Sequence, residues 1–159
     1  HRQYVAGFNF NRITRFDSVL RIPLNWKIDR EKAAATFSVP GFACSLGLNM
    51  PDRYSLFRIS VTLGVVTDIT MDTQKDDYEP VHDTIGLNRQ FLSTEWFPRT
   101  ATVAAQELSF QLDINHPEIT FNDSDTLMLS VAIEFGELDA FGNPTPVKGA
   151  GAGKVLGVG

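Results

Sequence analysis

Two-residue alternation, repeated along most of the chain, limits what this sequence can fold into more than any other feature. In Leu20-Arg21-Ile22-Pro23-Leu24-Asn25-Trp26-Lys27-Ile28 every even position is apolar and every odd one is polar or proline. Side chains of an extended strand point alternately to opposite faces, so this stretch reads as a half-buried strand. Pro23 removes a ladder donor and points to an edge position or a bulge. The same pattern returns in Ala35, Phe37 and Val39, in Phe57, Ile59, Val61, Leu63 and Val65, and in Leu108, Phe110, Leu112 and Ile114. It returns once more in Leu127, Leu129, Val131, Ile133 and Phe135. Gly64 lies inside one of these runs, where a bulge or corner is expected.

Turn chemistry separates the runs: Pro40-Gly41, Asn115-His116-Pro117, Asn122-Asp123-Ser124-Asp125 and Phe141-Gly142-Asn143-Pro144. No long helical period interrupts them. About 6–8 strands spaced in this way predict an all-β fold, an antiparallel β-sandwich of jelly-roll or immunoglobulin-like type. The expected core is Leu20, Ile22, Leu24, Trp26, Ile28, Phe37, Ile59, Val61, Leu63, Leu108, Phe110, Leu112, Leu129, Val131 and Ile133. With 159 residues and no internal repeat or linker, residues 1–159 read as a single domain.

Hydrophobic residues make up 43% of the chain, but no apolar run reaches the ~18 residues of a membrane helix. Membrane insertion is not expected. The opening HRQYVAGFNF lacks the charged start and apolar stretch of a secretory signal, and its start at His1 is compatible with a mature, a trimmed or an engineered N terminus alike. The lone Cys44, flanked by Phe42, Ala43 and Leu46, reads as a buried thiol. The net charge of −5 is no footprint for nucleic acid. Asp68, Asp72, Asp76, Asp77, Glu79 and Asp83 face only Lys75 in one short segment, which therefore holds the whole net charge. That segment reads as a solvated acidic loop.

In order, the landmarks Gly7-Phe8-Asn9-Phe10-Asn11, Val39-Pro40-Gly41-Phe42, Phe57-Arg58-Ile59, Asp72-Thr73-Gln74, Ala132-Ile133-Glu134-Phe135 and Lys148-Gly149-Ala150 to Val158 resemble a family of uncharacterised Bacteroidetes proteins. Members of that family carry a small β-rich N-terminal part ahead of an all-β domain. This chain resembles the latter over nearly its whole length, with a shorter acidic loop. The resemblance implies the fold and brings no activity with it.

Candidate chemistry is sparse. GAGAGK, residues 149–154, suggests a phosphate loop. The first glycine of that motif would have to stand where Lys148 is, and Val155 replaces the required hydroxyl. No cofactor is expected. Asp72, Asp76, Asp77 and Glu79 are weak calcium candidates, because they lack the Asp-x-Asp-x-Asp-Gly spacing. His82 with Asp83 and Glu79 is the one His–carboxylate group, short of a zinc set. No Gly-x-Ser-x-Gly elbow marks a nucleophile, and Asn122-Asp123-Ser124 matches a glycosylation sequon. Trp96 and Phe97, with Tyr78 and Phe91, can stack on a sugar or a protein, or plug the sandwich.

At the C terminus, Lys154, Val155, Leu156 and Val158 are expected to form a final strand, led by a flexible Lys148–Gly153. The function expected is a non-enzymatic structural or interaction module that self-assembles as a surface, fibre or particle subunit. A carbohydrate-binding module, aided by calcium, is the alternative. An extracellular or cell-surface setting suits both.

Overall fold

A computed structural model of the chain describes residues 2–80, 89–113, 121 and 123–159. A 3-10 turn (Arg2–Val5) and a one-turn helix α1 (Phe16–Val19) precede strands β1 (Asn25–Asp29), β2 (Ala34–Val39) and β3 (Phe42–Ala43). A second short helix, α2 (Cys44–Gly47), leads into β4 (Leu56–Val66), β5 (Ile69–Asp72), β6 (Asp77–Pro80), β7 (Arg89–Ser93) and β8 (Phe97–Pro98). The remaining strands are β9 (Thr102–Val103), β10 (Gln106–Gln111), β11 (Thr126–Leu138) and β12 (Pro144–Val158).

Among the described residues all strand pairs are antiparallel. One sheet has the order β1-β2-β10; a larger one runs β12-β11-β4-β7, with β8 also on β4. β3-β9 and β5-β6 form two small ribbons. This is the all-β, sandwich-like architecture that the alternation implies.

β4 and β11 form the backbone of the larger sheet, in unbroken register from Leu56↔Gly136 to Val66↔Thr126. Phe57, Ile59, Val61 and Leu63 thereby lie opposite Phe135, Ile133, Val131 and Leu129, and all are buried. Phe37 and Ala35 of β2 and Phe110 of β10 are buried in the same core. Burying one such side chain contributes about 1.5–3 kcal/mol. A one-residue slip would turn the whole set to water, so the apolar phase fixes register. Cys44 is buried and unpaired; burial pushes its thiol pKa up, keeping it protonated.

Several local expectations are corrected. The stretch from Leu20 is not one strand: β1 starts at Asn25, beyond the donor lost at Pro23. Leu20 is instead held by a bridge to Leu48. Trp26 is not core but 44% exposed, because β1 is an edge strand and the indole lies across that edge. Ile22, Leu24, Ile28 and Leu108 are only partly buried. Gly64 makes no bulge; it pairs in register with Met128. The irregularities lie between β11 and β12, at Leu129/Ser130 and Glu134/Gly136.

The acidic segment is not a loop but the β5–β6 hairpin. Asp72 nucleates its turn, its Oδ1 accepting the N–H groups of Gln74 (2.8 Å) and Lys75 (3.4 Å). Asp76 adopts a left-handed φ of 54°, which Asp tolerates. Lys148–Gly153 is no flexible lead, since β12 runs through it. Ile114, the turn at Asn115-His116-Pro117, Asn122, His82 and Asp83 lie outside the described residues.

Candidate interaction face

The glycine-rich end resolves into sheet geometry. Glu134 pairs with Gly151 and Gly136 with Pro146, so Val147 to Ala150 bow out opposite Phe135. Gly151 has φ +117°, and a Cβ there would stand 2.2 Å from the Ile133 carbonyl oxygen. Only glycine lets the strand rejoin its partner at that point. A second bulge follows: Leu129 pairs with Gly157 and Ser130 with Val155, leaving Leu156 as the extra residue. Alternation breaks here, and Val155 and Leu156 are both buried. Leu156 joins the core, while Val155, opposite outward-facing Ser130, lies outside it.

The rest of that strand is also engaged within the chain. Val158 pairs with Met128. Gly157 passes beneath Trp26, leaving no room for a Cβ. The Lys154 ammonium pairs with the Asp17 carboxylate and stands 5.4 Å from the centre of the Phe16 ring.

β12 is not an open edge. The N-terminal segment lies along it: Gly7 N–H donates to Val155 O, Val155 N–H to Phe8 O and Phe10 N–H to Gly153 O, each 2.9 Å. Asn9 bridges Lys154 in this arrangement. Phe8 and Phe10, two residues apart, share the side away from the core. Their rings meet edge to face at 5.8 Å.

Across that outer side the sheet carries small side chains. Ala132 lies between Ser60 and Gly153, and Ser130 between Thr62 and Val155. On β7, Ser93 pairs with Ser60 and Phe91 with Thr62. The result is a groove of about 280 Å³ whose small-residue floor runs between Phe10 and Phe91. Those two rings are 58% and 55% exposed.

A polar cluster closes one end. Arg58 Nε lies 2.7 Å from Glu134 Oε2, and its Nη2 donates to Oε1 at 3.3 Å. The Ser60 hydroxyl donates to the same carboxylate. Burial pushes the Glu134 carboxyl up, but the Arg58 hydrogen bonds, the Ser60 hydroxyl and the Arg58 charge outweigh it and hold the pKa below its ordinary value. The Arg58 guanidinium stacks 4.6 Å from the centre of Trp96, which itself packs against Gly136.

Of the aromatics singled out in sequence, Phe97 turns inward onto Phe57 at 5.7 Å, and Trp96 is half-buried beside Arg58. Phe91 and Tyr78 are exposed. Asp72, Asp76, Asp77 and Glu79 sit on the hairpin, where the Lys75 ammonium is 2.7 Å from Glu79 and 3.7 Å from Asp72. Among the described residues no group of three or more His, Cys, Asp or Glu is placed to hold a metal. Sequence reasoning missed Phe10 and the floor of Ser60, Thr62, Ser130 and Ala132. The available signal was the small size of the polar positions in two neighbouring runs.

No family model, characterised protein or solved structure matches this chain. Its function has to be read from this geometry.

Proposed function

We propose that this protein is a non-enzymatic interaction module that works by self-association, as a subunit of a surface, fibre or particle. The carrying observation is the outer groove of the larger sheet. Solvent-facing strand positions usually hold long polar side chains, which keep other surfaces away. Here they hold Ser, Thr and Ala between two exposed phenylalanines. A smooth floor lets a second β-layer approach to about 10 Å, and the rings supply apolar area to bury. Sedimentation of the purified chain across a range of concentrations tests this. The mass should rise above that of one chain, and Phe91→Ser should suppress the rise.

A carbohydrate-binding module is the second reading. It is favoured by exposed Phe10 and Phe91 rings beside the Thr62 and Ser130 hydroxyls, an arrangement able to stack on a sugar and bond its hydroxyls. A chain that stays monomeric but is retarded on a polysaccharide gel would favour this reading over self-association. An extracellular or cell-surface setting suits either.

A further inference from the structure

We infer that the hollow bounded by residues 11–19, 49–54 and 149–151 is a binding site for an acidic sugar, with Arg53 taking its carboxylate. The hollow and the Phe10–Phe91 groove belong to opposite faces of the larger sheet. Phe135, which lines the hollow, has the inward phase of β11, whereas Ser130 and Ala132 of the groove have the outward one. The site therefore goes beyond the self-association reading and does not depend on it.

Three stretches far apart in sequence build the hollow, and each is pinned. Asn11 Oδ1 accepts the N–H groups of Ile13 (2.9 Å) and Thr14 (3.2 Å). Its Nδ2 donates to Gly151 O at 3.4 Å, tying the N-terminal stretch to the bow of β12. Asn49 N–H donates to Val19 O at 2.7 Å. Arg99 Nη1 donates to the carbonyls of Pro51 and Tyr54, each at 3.0 Å. Tyr54 stacks on Phe135 with ring centres 5.3 Å apart, and the Arg53 guanidinium stands 4.9 Å from the centre of the Tyr54 ring. Walls held in this way are formed before a ligand arrives, which lowers the ordering cost of binding. The hollow measures about 340 Å³, within the range of small-molecule sites.

The lining selects the ligand. Val19, Met50 and Phe135 are buried and give the hollow an apolar floor. Arg53 is the one charged side chain that lines it. Among the described residues no acid pairs with Arg53. Its neighbour Asp52 is taken by Arg99, and Asp17 by Lys154. The ligand should thus carry negative charge. A single planar guanidinium matches a planar carboxylate, which it can meet through two parallel N–H bonds. A phosphate carries more charge, and no second cation lines the hollow to match it. The lining also holds the Thr14 and Ser18 hydroxyls and the Asn49 amide. Such groups both donate and accept, as sugar hydroxyls require. One carboxylate, several hydroxyls and an apolar C–H face are the features of a hexuronic acid.

Amide chemical shifts of the full chain at pH 7 test this, with glucuronate, galacturonate, glucose and acetate as probes. At least one uronate should saturate with a Kd of millimolar order or below and move amides of residues 11–19, 49–54 and 149–151. Glucose lacks the carboxylate and acetate lacks the ring, so each should bind at least about tenfold more weakly. Arg53→Gln should weaken the uronate at least about tenfold, down to the level of glucose. Phe91→Ser, on the other face, should leave it unchanged. Both positions are exposed, and unchanged circular dichroism will show that both variants fold. A uronate tetramer separates the sources: tighter binding than the monomer supports the site as a reader of polysaccharide, and equal binding supports it as a receptor for the free acid. The inference is overturned if neither uronate saturates, if glucose binds as well as the uronate, if Arg53→Gln binds like the parent, or if the shifts map to Phe10 and Phe91.

Discussion

Two strand glycines, Gly151 in β12 and Gly64 in β4, meet opposite demands. At Gly151 the backbone is left-handed and a Cβ would collide with the Ile133 carbonyl. Gly151→Ala should therefore cost about 2–4 kcal/mol in urea unfolding. At Gly64 the nearest atom to an added Cβ is the Arg89 Cβ at 3.8 Å, an ordinary contact. Gly64→Ala should be neutral or stabilise by up to about 1 kcal/mol, by restricting the unfolded chain. Glu134 makes a prediction in pH. Its folded pKa is lowered, so the stability it contributes is present above its unfolded value near 4.5 and is lost as pH falls through the folded value. Its side chain is 31% exposed, so solvent screens the pair and the contribution is modest. Glu134→Gln should destabilise by roughly 1 kcal/mol at pH 7 and flatten the loss of stability on acidification below pH 4.5, as read by urea melts across that range.

Element by element, β12 is engaged along both of its edges. It pairs with β11 on one side and receives residues 7–10 on the other. Deleting residues 154–159 removes Val155 and Leu156, both buried, together with the pairing opposite Met128 to Val131. Cooperative thermal unfolding should disappear in near-UV circular dichroism, and retention of the parent melt would show that this strand is dispensable. The hairpin stands at the other extreme. Asp76 and Asp77 are exposed, and Asn tolerates the left-handed conformation at position 76 as Asp does. Asp76→Asn/Asp77→Asn should change stability by less than about 0.5 kcal/mol, the usual range for surface sites. A loss several times larger would mean that these carboxylates hold an ion or a partner.

Viewed as a whole molecule, charge is separated. Acidic groups crowd the β5–β6 ribbon, while exposed Arg12 and Arg15 line a separate hollow with Gly7, Asn9 and Asn11, and exposed Arg89 lies on β7 two residues from Phe91. Exposed charges are screened over ~10 Å at 0.1 M salt and ~3 Å at 1 M. Self-association of a chain whose acids and exposed arginines are separated in this way should weaken as NaCl rises from 0.05 to 0.5 M, then level off, because the apolar part of the contact does not depend on screening. Light scattering at fixed protein concentration reads this directly. Association that strengthens steadily with salt would point to a purely apolar face.

The alternation alone determined the strands at Phe37, at Phe57 to Val65 and at Leu127 to Phe135, and which of their residues face the core. It could do so because side-chain direction in a strand is a local property with a period of two. The turn at Phe141-Gly142-Asn143-Pro144 was legible for the same reason: Gly142 supplies the left-handed φ of +80° that the turn uses. Other features depended on partners distant in sequence. Trp26 keeps the inward phase yet is exposed, because sheet order made β1 an edge. Val155 falls on the nominal glycine face yet is buried, because a bulge opposite Ser130 and the N-terminal segment cover it. The groove exists only because β7, β4, β11, β12 and residues 7–10 lie side by side, aligning small residues from four strands between two rings. Strand order and register shifts are settled by which edges meet across long loops, and no local period records that.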